Sequence, residues 1–276
     1  MGTQTALWLV ASVFLALQAG PVTAQAVVET QSFDSSAAAS SAGWAGLDNT
    51  LNGNAFGFSN TNFTGLSGAG EAGGTVARTT NLAYYADLSV GGSPSLLTAL
   101  HASGELNVVS VSNFNNPVRF GFFNAADTTG FIRFAGFQVA ESTTSTQFRA
   151  FPSVHFANGS RAESSFPLII AANVPYTWES DFDPSNQRMS LEFFNAGVSL
   201  GVSTVDLSPA QIGYGASFSA FGLVTGGWGQ ADPSNVAHVY MDNLTYSVTP
   251  VPEPSGLCLV GFGCLVACRN WLRHRN

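Results

Sequence analysis

Three acids stand two residues apart in "WESDFDP": Glu179, Asp181 and Asp183. On a β-strand, positions i, i+2 and i+4 share one face, so their carboxyls line up. Paired carboxyls on one face can cleave a glycosidic bond, one as nucleophile and the other as acid/base, and the retaining reaction needs them about 5–5.5 Å apart. Four residues of strand span ~13 Å, so Glu179 and Asp183 must lean together or a bulge must shorten the gap. Asp183 precedes Pro184, and Asp-Pro opens turns. That is a poor seat for the shorter of the two acids. A solvated strand face is therefore the expected reading, and hydrolysis by Glu179 and Asp183 the alternative.

Other chemistry is thinner. The body holds His101, His155 and His238, but no G-x-S-x-G elbow and no H-E-x-x-H spacing. Each histidine is expected to cap a loop or face solvent, and neither a serine hydrolase nor a zinc site is expected. "LDNTLNGNAFG" offers Asp48, Asn49, Asn52 and Asn54 as oxygen donors beside Gly53, a candidate calcium loop. It holds a single carboxylate, so Asn and Asp side chains turning back on the backbone are the preferred reading. Asp232 in "GQADPSN" is weighed the same way. "GEAGGTVAR" reads as a tight-turned loop with a Glu71–Arg78 ion pair. A glycan site needs an exposed ring. Trp228 in "TGGWGQ" is the first candidate because its neighbours can hardly bury it, followed by Tyr84, Tyr85 and Tyr240. Trp44 and Trp178 are expected in the core or at its rim.

These residues must be positioned by strands. "RMSLEFFNAGVSLGVSTVDL" alternates with period two: Met189, Leu191 and Phe193 point one way, and Ser190, Glu192 and Phe194 the other. Asn195–Gly197 is the hairpin loop, and Val198–Val205 the return strand. "GELNVVSVSNF", "VRFGFFN", "GFIRFAGFQVA", "STQFRAFPSVHF", "SFSAFGLVT" and "AHVYMDNLTYSV" read alike. One short helix is expected at "LSPAQIGY", capped by Ser208 with Pro209 in its first turn. Many short strands separated by turns predict an all-β sandwich or barrel.

Composition narrows the class. Charged residues are 9% of the 276, and the chain has no lysine. Between Ala26 and Pro250 six arginines face sixteen acids, a balance of -10. Nucleic acid, which rewards clustered positive charge, is excluded as a partner. With 45% hydrophobic and 12% aromatic residues, a real core is affordable and disorder is not expected. All three cysteines, Cys258, Cys264 and Cys268, lie near the C-terminus. They read as small apolar residues of a helix, and the body has no disulfide.

The two ends read as addresses. Residues 1–26 hold an apolar run, Ala6 to Leu17, and an A-x-A site at Ala24 and Ala26, the pattern of a signal peptide. From Gly256 to Cys268 thirteen residues carry no charge, a helix of roughly 20 Å against a ~30 Å hydrocarbon core. Trp271 and Leu272 extend it. Arg269, Arg273 and Arg275 follow, and by the positive-inside rule stay cytoplasmic. Residues 27–248 are read as one domain, 249–254 as a linker, and 255–276 as a transmembrane sorting helix with a basic tail.

Two family resemblances follow. The C-terminus resembles the bacterial PEP-CTERM sorting signal: Pro252, Glu253 and Pro254, then a hydrophobic span, then Arg269, Arg273 and Arg275. This implies recognition by an exosortase-type membrane protease, an inner-membrane intermediate held through the C-terminal helix, and release to the cell surface or extracellular matrix. A plain membrane anchor is the competing reading. The order of "PYTWESDFDP", "MSLEFFNAG", "STVDL", "FSAFGLVTGG" and "VYMDNLTYSV" resembles concanavalin A-like, laminin-G-like jelly rolls. It implies an antiparallel jelly-roll β-sandwich. The carboxylate row is also similar to the Glu-x-Asp-x-Glu of jelly-roll glycoside hydrolases of the laminarinase and agarase group, with Asp183 replacing the last glutamate. The resulting expectation is an exported, non-enzymatic surface or matrix protein with weak binding to extracellular polysaccharide. The glycoside hydrolase is its alternative.

Overall fold

The computed structural model describes residues 25–65, 68–112, 118–127, 131–141, 146–227 and 231–250. The signal-peptide stretch, Trp228, the Pro252–Pro254 motif and the C-terminal helix with its arginines lie outside the described residues. Ala26–Thr249 forms one compact unit.

The chain runs β1 (Val27–Gln31), α1 (Ser36–Ser41), β2 (Trp44–Leu47), β3 (Ala55–Ser59), β4 (Glu71–Arg78), β5 (Ala83–Asp87), β6 (Thr98–Ser112), β7 (Val118–Phe123) and β8 (Phe134–Glu141). It continues through β9 (Gln147–His155), β10 (Arg161–Glu163), β11 (Leu168–Ala171), β12 (Pro175–Asp183), β13 (Arg188–Asn195), β14 (Val198–Asp206), α2 (Pro209–Tyr214), β15 (Ala220–Thr225) and β16 (Asp232–Pro250). Two eight-stranded sheets result. The first has the order β14-β13-β12-β6-β16-β4-β3, with β1 paired to β16; the second has the order β10-β9-β8-β7-β15-β5-β2, with β11 paired to β9. Every pairing described between these strands is antiparallel. Sequence neighbours such as β12, β13 and β14 pair by hairpins, whereas β6 sits between β12 and β16, far from both in the chain.

Alternation drives this assembly. On β12, Tyr176, Trp178, Ser180 and Phe182 are buried while Thr177, Glu179 and Asp181 are exposed. On β13, Met189, Leu191 and Phe193 face inward, as their spacing requires. The inward faces of both sheets meet in one core. Phe137 of the second sheet packs edge-on against Trp178 and Phe193 of the first, with ring centroids 4.8 and 5.6 Å apart. Trp44 and Trp178 both lie in this core.

The β13–β14 hairpin turns on Ala196 and Gly197, both at positive φ (48° and 79°), the turn that matches strand twist. Helix α2 carries its Ser208 cap, and Gln211 closes the capping box. On β16 the buried phase slips by one residue: Val239 and Met241 face inward, then Leu244, Tyr246 and Val248. Asn243, at φ 48°, takes up the extra residue, as in a β-bulge.

Three expectations are corrected. "GEAGGTVAR" is strand β4, so Glu71 and Arg78 stand at opposite ends of an eight-residue strand. Glu71 is fully buried and holds the neighbouring loop instead. The histidines do not share one fate: His155 is buried at 6% exposure, while His101 and His238 are half-buried and hydrogen-bonded to Asp181 and Thr75. Tyr84 and Tyr85 are buried at 7% and 8% exposure. Strand β5 lies inside the second sheet between β15 and β2, and Tyr84 is covered by Phe123.

Candidate functional site

The three carboxylates of β12 do share the outer face of the first sheet, but different neighbours claim them. Asp181 stands opposite His101 of β6, and its Oδ1 lies 2.7 Å from His101 Nδ1. That hydrogen bond is the main reason the imidazole's pKa is raised, with Glu179 adding a weaker attraction. Asp183 accepts from the amides of Ser185 and Asn186 and from the Asn186 side chain. These bonds close the turn into β13 and hold its pKa below the usual carboxylate range. A general acid needs the opposite shift. Glu179 remains at the rim of a shallow depression of about 240 Å³ with Ser103, Thr177 and Asn243.

A larger groove, about 490 Å³, lies at the other end of the same sheet. Tyr240 forms one wall and Gly57, Gly73 and Gly74 the floor; Asn49, Ser59 and Thr75 add polar groups. The glycines are required by packing. A Cβ at Gly73 would lie 2.2 Å from the Val239 carbonyl oxygen and 2.8 Å from Tyr240 Cδ1. Tyr85, though buried, reaches the same groove. Burial raises the Tyr240 phenol pKa, and the Glu71 charge raises it further.

Phe63 extends this aromatic wall. Its ring stacks on Tyr240 with centroids 4.4 Å apart and an interplanar angle of 27°, yet it stays 40% exposed. The backbone around it is pinned from two sides. Glu71 Oε1 accepts from the Phe63 amide at 2.8 Å and from Thr61 Oγ1 at 2.6 Å, and Oε2 accepts from the Thr64 amide at 3.0 Å. Asn107 Nδ2 donates to the Phe63 carbonyl at 2.5 Å. An exposed ring is thereby held in place by a buried carboxylate, so little ordering entropy remains to be lost when it meets a ligand.

The reasoning that singled out Trp228, an aromatic among small polar residues, applies equally to Phe63 in "TNFTG", Phe131 in "TTGFIR" and Phe166 in "ESSFP". These three are 40%, 65% and 80% exposed. In the candidate calcium loop, Asp48, Asn52 and Gly53 all have positive φ. Asn54 Oδ1 accepts from the Ala77 amide, Asn54 Nδ2 donates to the Asp48 carbonyl, and Asn49 Nδ2 donates to the Phe56 carbonyl. These side chains tie the loop to its own backbone and to strand β4. Asp232 likewise accepts from Ser234.

No family model matches the chain, and no curated protein matches it. Among solved structures, peanut lectin is similar at 10% identity over 83% of this chain and 100% of its own, with a TM-score of 0.51. A protein of unknown function from Shewanella oneidensis MR-1 is similar at 10% identity over 88% and 95% of the two chains, again with a TM-score of 0.51. The body has the jelly-roll fold seen in these lectin-like structures. At such identity the likeness concerns the fold alone. Among the described residues of this jelly roll, no helix is long and apolar enough to cross a membrane, and no three His, Cys, Asp or Glu side chains cluster as metal ligands.

Proposed function

We propose that this chain is an exported bacterial surface or matrix protein whose jelly-roll body binds carbohydrate without converting it. The observation that carries the reading is the Phe63–Tyr240 pair. Two stacked rings, one open to solvent and fixed by buried polar bonds, stand beside a glycine-floored groove with side-chain amides and hydroxyls. The apolar face of a sugar ring packs on such an aromatic surface, and its hydroxyls exchange hydrogen bonds with groups such as Asn49 and Thr75. The groove is large enough for more than one sugar ring and open enough for a polysaccharide to run through it.

Export is supported by the sequence of the two ends. The apolar N-terminal run, the Pro252-Glu253-Pro254 motif and Arg269, Arg273 and Arg275 fit handling by an exosortase-type protease after an inner-membrane stage. The acidic body suits release into the extracellular matrix.

The test of binding is retention of the purified protein on immobilised polysaccharides. Tyr240→Ala and Phe63→Ala should each weaken retention about tenfold, the loss expected on removing one stacked aromatic worth roughly 1–1.5 kcal/mol. Unchanged retention of both variants removes this site, and Trp228→Ala on the same column then tests the ring outside the described residues. The export reading is tested separately by the mass of the protein recovered from the native host. Loss of residues 1–26 and of the segment beyond Pro254 is expected.

A further inference from the structure

Strand register sets Glu179 directly opposite Glu192 of β13 and opposite Ser103 of β6, all on the outer face of the first sheet. Side chains so opposed have Cβ atoms about 5 Å apart, and like charges there destabilise a sheet. Glu105 of β6 stands opposite Thr177 on the same face. It is therefore the diagonal neighbour of Glu179, at a separation of about 7–8 Å. Three carboxylates are thus set side by side on three adjacent strands.

Among the described residues, no side-chain cation neutralises them. The chain has no lysine. No arginine lines the depression of about 240 Å³ that Glu105 and Glu179 share with Ser103, Thr177, Phe194 and Asn243. His101, two residues before Ser103, is already bonded to Asp181. Glu192 accepts from Ser199 Oγ, a neutral partner. Glu105 is the most demanding of the three, because it is only 9% exposed. The Asn243 side-chain amide, aimed by the bulge in β16, donates to Glu105 Oε1 at 2.9 Å. Among the described residues Glu105 Oε2 accepts from no donor. A buried carboxylate with one oxygen unpaired and no counter-charge costs stability. Such local conflicts are expected at functional sites. The depression also has an apolar side, the half-buried Phe194 opposite Thr177. At roughly 30 Å³ per water molecule there is room for about eight, or for one sugar ring.

We propose that this depression is a subsite for an amino sugar, whose ammonium enters between Glu105 and Glu179 and whose ring lies against Phe194. An ammonium carries three donors, enough to serve Glu105 Oε2 and Glu179 together. Aromatic rings attract such a cation and pack against the apolar side of a sugar. Ser103, Thr177 and Asn243 offer partners for ring hydroxyls. A divalent metal ion is served less well: it calls for six or more oxygens, and the described acids are not grouped closely enough for three to ligate one ion. The amino sugar can be free or a unit of a cationic polysaccharide. For its sugar ring the inference rests on the reading of this body as carbohydrate-binding; for the ammonium it rests on the carboxylates. The depression shares no lining residue with the Tyr240 groove.

The test is calorimetric titration of the full chain with D-glucosamine at about pH 6, where an amine of this kind keeps its proton. N-acetyl-D-glucosamine is the neutral control, and methylammonium the control for charge alone. Saturable glucosamine binding, about tenfold tighter than either control, is expected. Exposed Glu179→Gln should weaken glucosamine about tenfold, the loss of one hydrogen bond to a charged group. Its thermal midpoint should be no lower than wild type, since one of two opposed charges is gone. Phe194→Ala should weaken glucosamine but not methylammonium. Tyr240→Ala should leave glucosamine binding unchanged while it weakens polysaccharide retention, so failure of the groove and failure of this subsite are read separately. A β-1,4-linked glucosamine oligomer that binds more tightly than the monomer identifies the polysaccharide as the source, and equal affinity identifies the free sugar. The proposal is overturned if folded wild-type protein shows no saturable glucosamine binding, if either control binds equally, if Glu179→Gln has no effect, or if calcium binds wild type but not Glu179→Gln.

Discussion

Tyr246 donates its hydroxyl to Asp87 Oδ2 at 2.7 Å, joining β16 of the first sheet to β5 of the second through the buried interior. Both residues are at most 2% exposed, and Asp87 Oδ1 is already occupied by the amide and hydroxyl of Ser89. Burial is the chief cause of the strongly raised phenol pKa, and the Asp87 bond adds to it, so the proton stays on tyrosine. Tyr246→Phe keeps the ring's stacking on Phe221 (4.1 Å) but leaves a buried carboxylate oxygen without this donor. A loss of about 1–3 kcal/mol is expected, read as a lower denaturation midpoint with an unchanged slope.

Glu71 links stability to the candidate glycan site. Glu71→Gln turns an amide N–H₂ toward one of the donors that the carboxylate now accepts. Stability should fall by roughly 2–3 kcal/mol. Because the Thr61–Thr64 loop presents Phe63, polysaccharide retention should fall as well. A destabilised variant with full retention would show that Phe63 does not need its anchor.

The two paired histidines give stability opposite pH slopes. His101 has a raised pKa in the folded protein, so its contribution is present below about pH 6.5, the unfolded value, and is lost as pH rises through the folded value. Its side chain is 39% exposed, so the effect is a few tenths of a kcal/mol. His155 is depressed, so its contribution is present above about pH 6.5 and declines as pH falls toward the folded value. Thermal midpoints between pH 4 and 8 should show a steeper acid limb, which His155→Gln flattens. His101→Gln should lower the midpoints on the acid side by a constant small amount and remove the decline above about pH 6.5.

Phe193 touches Phe137 across the sheets and Tyr176 within its own, with centroids 5.6 and 6.0 Å apart. Phe193→Ala should cost about 3–5 kcal/mol, measured by chemical denaturation. Its half-buried neighbour Phe194 should cost less when changed to Ala.

Glycan cleavage is tested directly. With Asp183 engaged in its turn and Asp181 bonded to His101, no release of reducing ends is expected from a broad polysaccharide panel. Release that Glu179→Gln abolishes would establish the hydrolase.

Much of the fold was legible because alternation is local. Tyr176–Phe182 and Met189–Phe193 announce a buried face with no knowledge of their partners, as do Ser208 and Pro209 for the short helix. The N-terminal strands were not legible. In β4, Gly73 and Gly74 stand where a period-two pattern would show side chains. Those glycines exist because strands β16 and β3 approach too closely for a Cβ, a demand made by neighbours far away in the chain. Tyr84 and Tyr85 looked like surface rings for a similar reason: only a sheet with strands on both sides of β5 buries them.

The site divides in the same way. Residue types and short spacing were enough to place Glu179, Asp181 and Asp183 on one face and to name Tyr240. Only the tertiary structure decided that Asp181 meets His101, that Glu71 holds Phe63 against Tyr240, and that Glu105 and Glu179 share one depression. Each of these meetings depends on strand register and sheet order. Those are set by burying whole faces together, a global condition that no short stretch of sequence carries.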